Sequence, residues 1–508
     1  ALSARGLLLR WSKENSRCTS YWNLSSLILA KKMSKHIFLR SICTIFVKEA
    51  VWRWAVLAAC GDSFITKDMK LAMKKCVLLL LALVGATAIC YGKKMPANVE
   101  RLWHHIDSVM PQSVRETPND EGSVIALPKP YSVPCVKGAF QEMYYWDTYF
   151  TNKGLLLLGN VEQAKNNLAC ITYLIEKFGY MPNGSHKGLL NRSQPPYASL
   201  MARDIYDVTR DKEWLRQTVK ALEKEYDFWM TKRIAPNGLN RYGHNATNEE
   251  LLGFYDAIAS RLGVDAKDRK TQEADKLKAG ANWLAEAESG WDFNPRYSQR
   301  CMDFNPVDLN ANLYIYEKNF EYFYKELGLT GGQKWRERAQ KRRRLINKYC
   351  YNKANGLFYD YDFVNKRQSR VYSGGSYNLM NAGVMTAAQA KAAVRGLGKL
   401  EMAHGIAACE RGTRPLTYQW DYPNCWAAIT YNVIAGLDRY GYKTAARRIA
   451  KKYLDSNVKQ YNETGVLWEK YNAVTGNNDA AAEYGTPGDF MGWTAGAVLF
   501  CAAYLEAN

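Results

Sequence analysis

The chain has 508 residues, 47% of them hydrophobic and 23% charged, with a formal charge of +20. That length exceeds a small module, and that composition excludes a mostly disordered chain. Residues 1–94 hold 16 Lys or Arg against 4 Asp or Glu, so +12 sits there and about +8 is spread over the other 414 residues. A nucleic-acid-binding surface is therefore disfavoured, and Lys341-Arg342-Arg343-Arg344 reads as a solvated helix face.

Residues 1–68 mix isolated charges with apolar patches and show no sustained period. From Met69 the pattern changes. Lys70, Lys74 and Lys75 precede the apolar run Cys76–Val84, and Ala86-Thr87-Ala88 follows. A basic start, a short apolar core and an A-x-A site are the parts of a secretory signal peptide, expected over 69–92. The competing readings are a buried helix or a membrane anchor, though the run is short for a membrane span. A signal at this position makes 1–68 read as upstream segment, non-native to the exported product. The chain starts with Ala1, and Met69 or Met73 would open that product.

Residues 95–508 read as one domain. Apolar residues at helical spacing, with charges opposite, predict helices at 161–178, 212–232, 265–288, 310–327, 332–349, 387–400, 424–440 and 442–458. Loops rich in Gly, Pro, Asn, Trp and Tyr separate them. Helix pairs whose loops carry function at one end suit an all-α toroid around a central pocket. No dinucleotide fingerprint, phosphate-binding loop or HExxH occurs. The twelve Cys lack CxxC pairs, and the seven beyond residue 94 read as buried thiols. His104-His105 reads as a helix surface pair, so no metal and no cofactor are expected.

Three loops place Trp beside Asp: Trp146-Asp147, Trp291-Asp292 and Trp420-Asp421. An indole offers a stacking face for a sugar ring, and a carboxylate accepts hydrogen bonds from vicinal hydroxyls. Glycosidic cleavage needs two carboxyls, one donating a proton to the leaving oxygen and one opposite it. The residues alone leave two readings open, a carbohydrate-active protein or structural Trp/Asp loops.

The ordered set of motifs resembles the trehalases of glycoside hydrolase family 37. It comprises Gly138-Ala139-Phe140-Gln-Glu142-Met-Tyr144-Tyr-Trp146-Asp147-Thr-Tyr149-Phe150, then Met181-Pro-Asn183-Gly184. Next come Leu190-Asn191-Arg192-Ser193-Gln194-Pro195-Pro196 and Glu288-Ser-Gly290-Trp291-Asp292-Phe293. Gln419-Trp420-Asp421-Tyr-Pro423 and Trp468-Glu469-Lys470-Tyr471-Asn472 complete it. The resemblance implies an (α/α)6 toroid and an inverting hydrolase of α,α-trehalose. It implies Asp292 as general acid and Glu469 as general base, about 6.5–9.5 Å apart. It implies substrate contacts from Trp146, Asp147, Asn183, Arg192, Ser193, Gln194, Gly290, Trp420 and Glu483, with Glu483 also the fallback base. The expected partner is a disaccharide, with no nucleic acid. The product would be a periplasmic or secreted monomer, without stable membrane insertion once the signal is cleaved.

Departures from the pattern bear on the sugar. Ala139 stands where the family has Arg, and Asn245-Ala-Thr-Asn-Glu249-Glu250 replaces its RPES element. A lost bidentate contact costs on the order of 1.5–3 kcal/mol. The alternatives are the same scaffold acting on a different α-glucoside, or a non-catalytic carbohydrate-binding protein.

Overall fold

The structure is a computed structural model and describes residues 95–262, 272–480 and 488–508. The expected upstream segment (1–68), the signal peptide (69–92) and Glu483 lie outside the described residues. In chain order the helices are α1 (Ala97–Val109), α2 (Tyr145–Leu158), α3 (Val161–Phe178), α4 (Ala198–Thr209), α5 (Lys212–Lys232), α6 (Asn248–Gly253), α7 (Tyr255–Leu262), α8 (Glu273–Glu288), α9 (Val307–Leu327), α10 (Gly332–Tyr349), α11 (Ser376–Ala382), α12 (Ala387–Gly396), α13 (Ala427–Arg439), α14 (Lys443–Thr464) and α15 (Gly492–Ala507).

Helices α2, α4, α9, α11, α13 and α15 pack side by side, and α15 returns to α2. They form a closed inner ring, the (α/α)6 arrangement expected from the sequence. Helices α1, α3, α5, α10, α12 and α14 lie outside it, and the short α6 and α7 pack with α8 between α5 and α9. The outer helices show why the sequence predicts them. In α3, Ala164, Leu168, Ile171, Leu174 and Ile175 are buried on one face while Glu176 and Lys177 are exposed. Inner helices are buried nearly all round: every residue from Tyr145 to Leu156 in α2, and from Gly492 to Tyr504 in α15. The sequences of α2 and α15 therefore lack a polar stripe, and the period-based reading passes over them, as it does over α4 and α11, while it finds α9 and α13. The α2–α15 contact requires small residues. A Cβ on Gly496 would lie 2.0 Å from the Phe150 carbonyl oxygen.

Helix ends follow local chemistry. Asp211 accepts from the Trp214 N–H to start α5. Thr386 and Gln389 form a reciprocal capping box at α12. Where a single helix was expected over 424–440, Asn424–Trp426 is instead a strand and α13 starts at Ala427.

The strands are short: β1 (Val114–Arg115), β2 (Tyr131–Ser132), β3 (Phe304–Asn305), β4 (Tyr361–Asp362), β5 (Arg367–Gln368), β6 (Asn424–Trp426) and β7 (Lys470–Asn472). They pair antiparallel as β1–β2, β3–β4–β5 and β6–β7. The last pair sets Trp426 opposite Lys470 and Cys425 opposite Tyr471, so it fastens the 419–426 loop to the 468–472 loop.

The interior also holds charge. Arg296, 1% exposed, is gripped by Asp308 (2.8 and 3.1 Å) and Asp360 (2.8 and 2.9 Å). Arg233 meets Glu288 through two hydrogen bonds of 2.7 and 2.8 Å. Such groups are tolerated inside because each charge is paired and hydrogen-bonded. All seven described cysteines are buried free thiols.

Candidate active site

Five indoles build the floor at one end of the inner ring. Trp420 stacks on Trp426 (centroids 3.8 Å apart, planes 3° apart) and on Trp291 (5.1 Å, 25°). Trp146 lies 5.5 Å from Trp420, and Trp493 sits edge-on to Trp146, Trp420 and Trp426 at 5.7–6.2 Å. All five are buried, with both faces of Trp420 taken by other indoles. Trp420 is thus a supporting layer of the wall it was expected to form.

Three carboxyl groups converge on this floor. Asp147 is in the first turn of α2 and is buried. Burial pushes its carboxyl up to about 8, and the charges of Glu469 and Asp292 add to the rise, while a backbone hydrogen bond opposes it. Asp147 is thus within electrostatic reach of both Asp292 and Glu469. Asp421 is different. Its carboxylate is tied to Arg414 at 3.0 Å and to the Tyr422 N–H at 2.8 Å. Of the three Trp-Asp pairs, two bring their acid to the common space.

Asp292 is half-buried, and its backbone is fixed from two sides. The Gln419 side chain donates to the Asp292 carbonyl, and the Trp420 N–H donates to the Phe293 carbonyl at 3.1 Å. Phe293 packs against the Trp283 ring (3.9 Å) and the Arg261 guanidinium (4.0 Å), which also lies over the Trp283 ring. Gly290 precedes this turn at φ +70°. A Cβ there would stand 2.8 Å from Trp146 Cε2 and Cζ2. The close approach that needs glycine is therefore to the Trp146 ring.

Glu469 is 4% exposed. Its Oε2 lies 2.6 Å from Lys470 Nζ, and its carbonyl accepts from Trp493 Nε1 at 3.2 Å. Lys470 in turn sits 4.9 Å over the Trp426 ring. The β6–β7 pairing thus sets this carboxylate beside the Trp stack.

The 181–194 loop supplies the opposite wall. The Arg192 guanidinium feels the charges of Asp292 and Glu288. Its Nη1 donates to Asn191 at 2.7 Å, while its buried Nε has no hydrogen-bond partner among the described residues. An orphaned buried donor beside carboxyl groups suits a ligand oxygen. Asn183 stitches the loop: its N–H donates to the Arg192 carbonyl (2.9 Å) and its side chain to the Ser193 carbonyl (3.2 Å). The Gln194 Oε1 accepts from the Trp146 N–H at 3.1 Å. Ser193 is fully buried. Its hydroxyl donates to Met181 O at 2.6 Å and its N–H to Glu288 at 2.9 Å, which makes it a brace of the wall.

The sequence model of the family described as Trehalase matches residues 89–505. The chain belongs to the trehalase family. It is 32% identical over 425 residues to a periplasmic trehalase of Pseudomonas aeruginosa, covering 78% of this chain and 75% of that protein. It is 27% identical over 440 residues to a trehalase of Tenebrio molitor, covering 80% and 77%. It superposes on the neutral trehalase Nth1 of Saccharomyces cerevisiae with a TM-score of 0.65 at 26% identity, covering 79% of this chain and 80% of that one. Within the trehalase family the enzyme class is glycosidase.

Reading the trehalase motifs alone missed the supports. Glu288 accepts four hydrogen bonds, from Ser193, Gly243 and twice from Arg233. Arg296 lies 4.4 Å from the Trp291 ring centre. Glu288 opens the Glu288–Phe293 motif, but the resemblance gives it no role there, and the sequence signal for Arg296 is its place four residues after Asp292. The segment that replaces RPES is also braced against this wall. The Asn245 N–H donates to the Asn191 carbonyl at 2.7 Å, and Asn191 Nδ2 donates to Glu250 at 3.3 Å. Ala139 and Lys137 are exposed. No group of three or more His, Cys, Asp or Glu among the described residues is arranged to hold a metal ion.

Proposed function

We propose that the site hydrolyses α,α-trehalose to two glucose molecules with inversion, Asp292 acting as general acid and Glu469 as general base. What supports this reading is that Asp292, on the turn tied to Gln419 and Trp420, and Glu469, on the loop fastened by β6–β7 and bonded to Trp493, both reach the Trp floor near Asp147. In the step, Glu469 takes a proton from water as the water oxygen bonds to the anomeric carbon. Asp292 gives its proton to the glycosidic oxygen as that bond breaks. An ionised carboxyl only accepts, the form that suits Glu469 beside the Lys470 ammonium. Asp292, flanked by Trp291 and Phe293, is read as the acid that donates to the leaving oxygen.

Asp147 and Arg192 would hold one sugar, with Asn183 and Gln194 keeping the wall in place and Trp146 and Gly290 beneath it. Glu483 is the remaining candidate contact. One chain supplies all of these residues, so the reading is of a monomer acting on a disaccharide, with no nucleic acid required. Relatives named periplasmic trehalase support export to the periplasm or beyond. No helix among the described residues is long and apolar enough to cross a membrane.

A second reading keeps the carboxyl pair and changes the sugar, because Glu250 is spent on the Thr247 N–H (2.8 Å) and Asn191 where the RPES element is replaced. The test is glucose release from trehalose by the protein, Asp292→Asn and Glu469→Gln, beside a panel of α-glucosides. Activity on trehalose lost in both variants supports the first reading. Turnover of another glucoside alone, lost in both variants, supports the second. Sugar binding without turnover of any glycoside would sink both.

A further inference from the structure

The inner helices run in the same direction. In each, residues nearer the N-terminus reach the Trp floor, and later ones face away from it. Trp146, Asp308, Asn312, Asn378 and Asn432 border a small void under the floor. Tyr149, Arg203, Lys318, Asn381 and Arg439, further along their helices or on an adjacent turn, border a larger cavity of about 260 Å³. It lies at the far end of the toroid, and the catalytic reading makes no use of it.

The charge of this cavity is one-sided. Three cations line it, Arg203, Lys318 and Arg439, beside the amides Asn319 and Asn381, and no Asp or Glu does. Arg203 pairs with Asp207 at 2.9 Å and Lys318 with Glu321. Arg439 is different. Its Nε donates to the Asn381 carbonyl at 2.8 Å, and it makes no ion pair among the described residues. Arg439 is exposed on the cavity rim, and its charge and that of Arg203, which lines the same cavity, repel each other. An anion between them would relieve that repulsion.

We propose that the far-end cavity is a second ligand site, taking a small phosphate-bearing anion. Guanidinium forks match the oxygens of a phosphate, and a dianion answers more than one cation. The volume exceeds what a single water or a halide fills. The site is independent of Asp292 and Glu469.

The test is calorimetric titration of inorganic phosphate into the full chain at constant ionic strength, with chloride and acetate as controls. Saturable 1:1 binding of phosphate is expected, at least tenfold weaker in Arg439→Gln and unchanged in Asp292→Asn. Arg439→Gln should hydrolyse trehalose at the parent rate without phosphate. If that variant does not fold, Lys318→Gln replaces it and should weaken binding at least threefold. The proposal is overturned by absence of saturable phosphate binding in the parent, or by equal binding of acetate. It also fails if binding survives the far-end substitution or is lost in Asp292→Asn.

Discussion

Replacing Asp147 by Asn should stabilise the protein, and more so as pH rises. The buried Asp147 carboxyl is lifted from 3.8 to about 8. Between those values the folded chain holds a proton that the unfolded chain releases, so this group's stability is full below 3.8 and lost as pH rises through about 8. One unit corresponds to about 1.36 kcal/mol, so the ceiling of the penalty is about 6 kcal/mol, of which about 4 kcal/mol accrues between pH 5 and pH 8. Asn keeps the shape and one acceptor and cannot ionise. Thermal unfolding of parent and Asp147→Asn at pH 5 and pH 8 measures the effect. The variant's advantage in Tm should widen by several degrees at the higher pH. An advantage of the same size at both values, or one that shrinks, would refute the reasoning. The activity of the variant is expected to collapse at both pH values, since the same site that penalises the charge is read as holding the sugar.

Gly290→Ala should lose most activity and about 1–3 kcal/mol of stability, because its Cβ would collide with the Trp146 ring; kinetics and urea unfolding check it, and a neutral outcome would contradict the geometry. Arg261→Ala removes the cation over Phe293, and kcat should drop severalfold with KM little changed, Arg261→Lys recovering part of it; a change confined to KM would count against positioning of Asp292. Arg296→Met strands Asp308 and Asp360 without their cation and should cost about 3–5 kcal/mol in a denaturant titration.

The outer helices could be read from their apolar stripes because one side of each faces water. Val161–Phe178, Lys212–Lys232 and Gly332–Tyr349 match their predicted bounds for that reason. Of the inner helices, Val307–Leu327 and Ala427–Arg439 could also be read from their spacing, whereas Gly492–Ala507 is buried on every side and leaves no period to detect. At the site, the motif residues Asp147, Asp292, Glu469 and Arg192 were identifiable, and the structure brings them into one field. Arg233 and Arg261 were not, because they gain meaning only from partners dozens of residues away, and Glu288, though inside a motif, shows its bracing role only through Ser193 and Arg233. Ser193 illustrates the opposite failure. A hydroxyl inside a motif reads as a ligand donor until its acceptor, the Met181 carbonyl, is known.

The Trp291–Trp420–Trp426 stack also gives the enzyme an optical voice. Indoles stacked 3.8 Å apart in nearly parallel planes couple their electronic transitions, so the floor is expected to produce a near-ultraviolet circular dichroism couplet of its own. Because Trp420 and Trp426 belong to the loop fastened to Glu469 by the β6–β7 pairing, that couplet would report the seating of the base side of the site. No label would be needed, and the signal would fade when those loops part even while the helices stay folded.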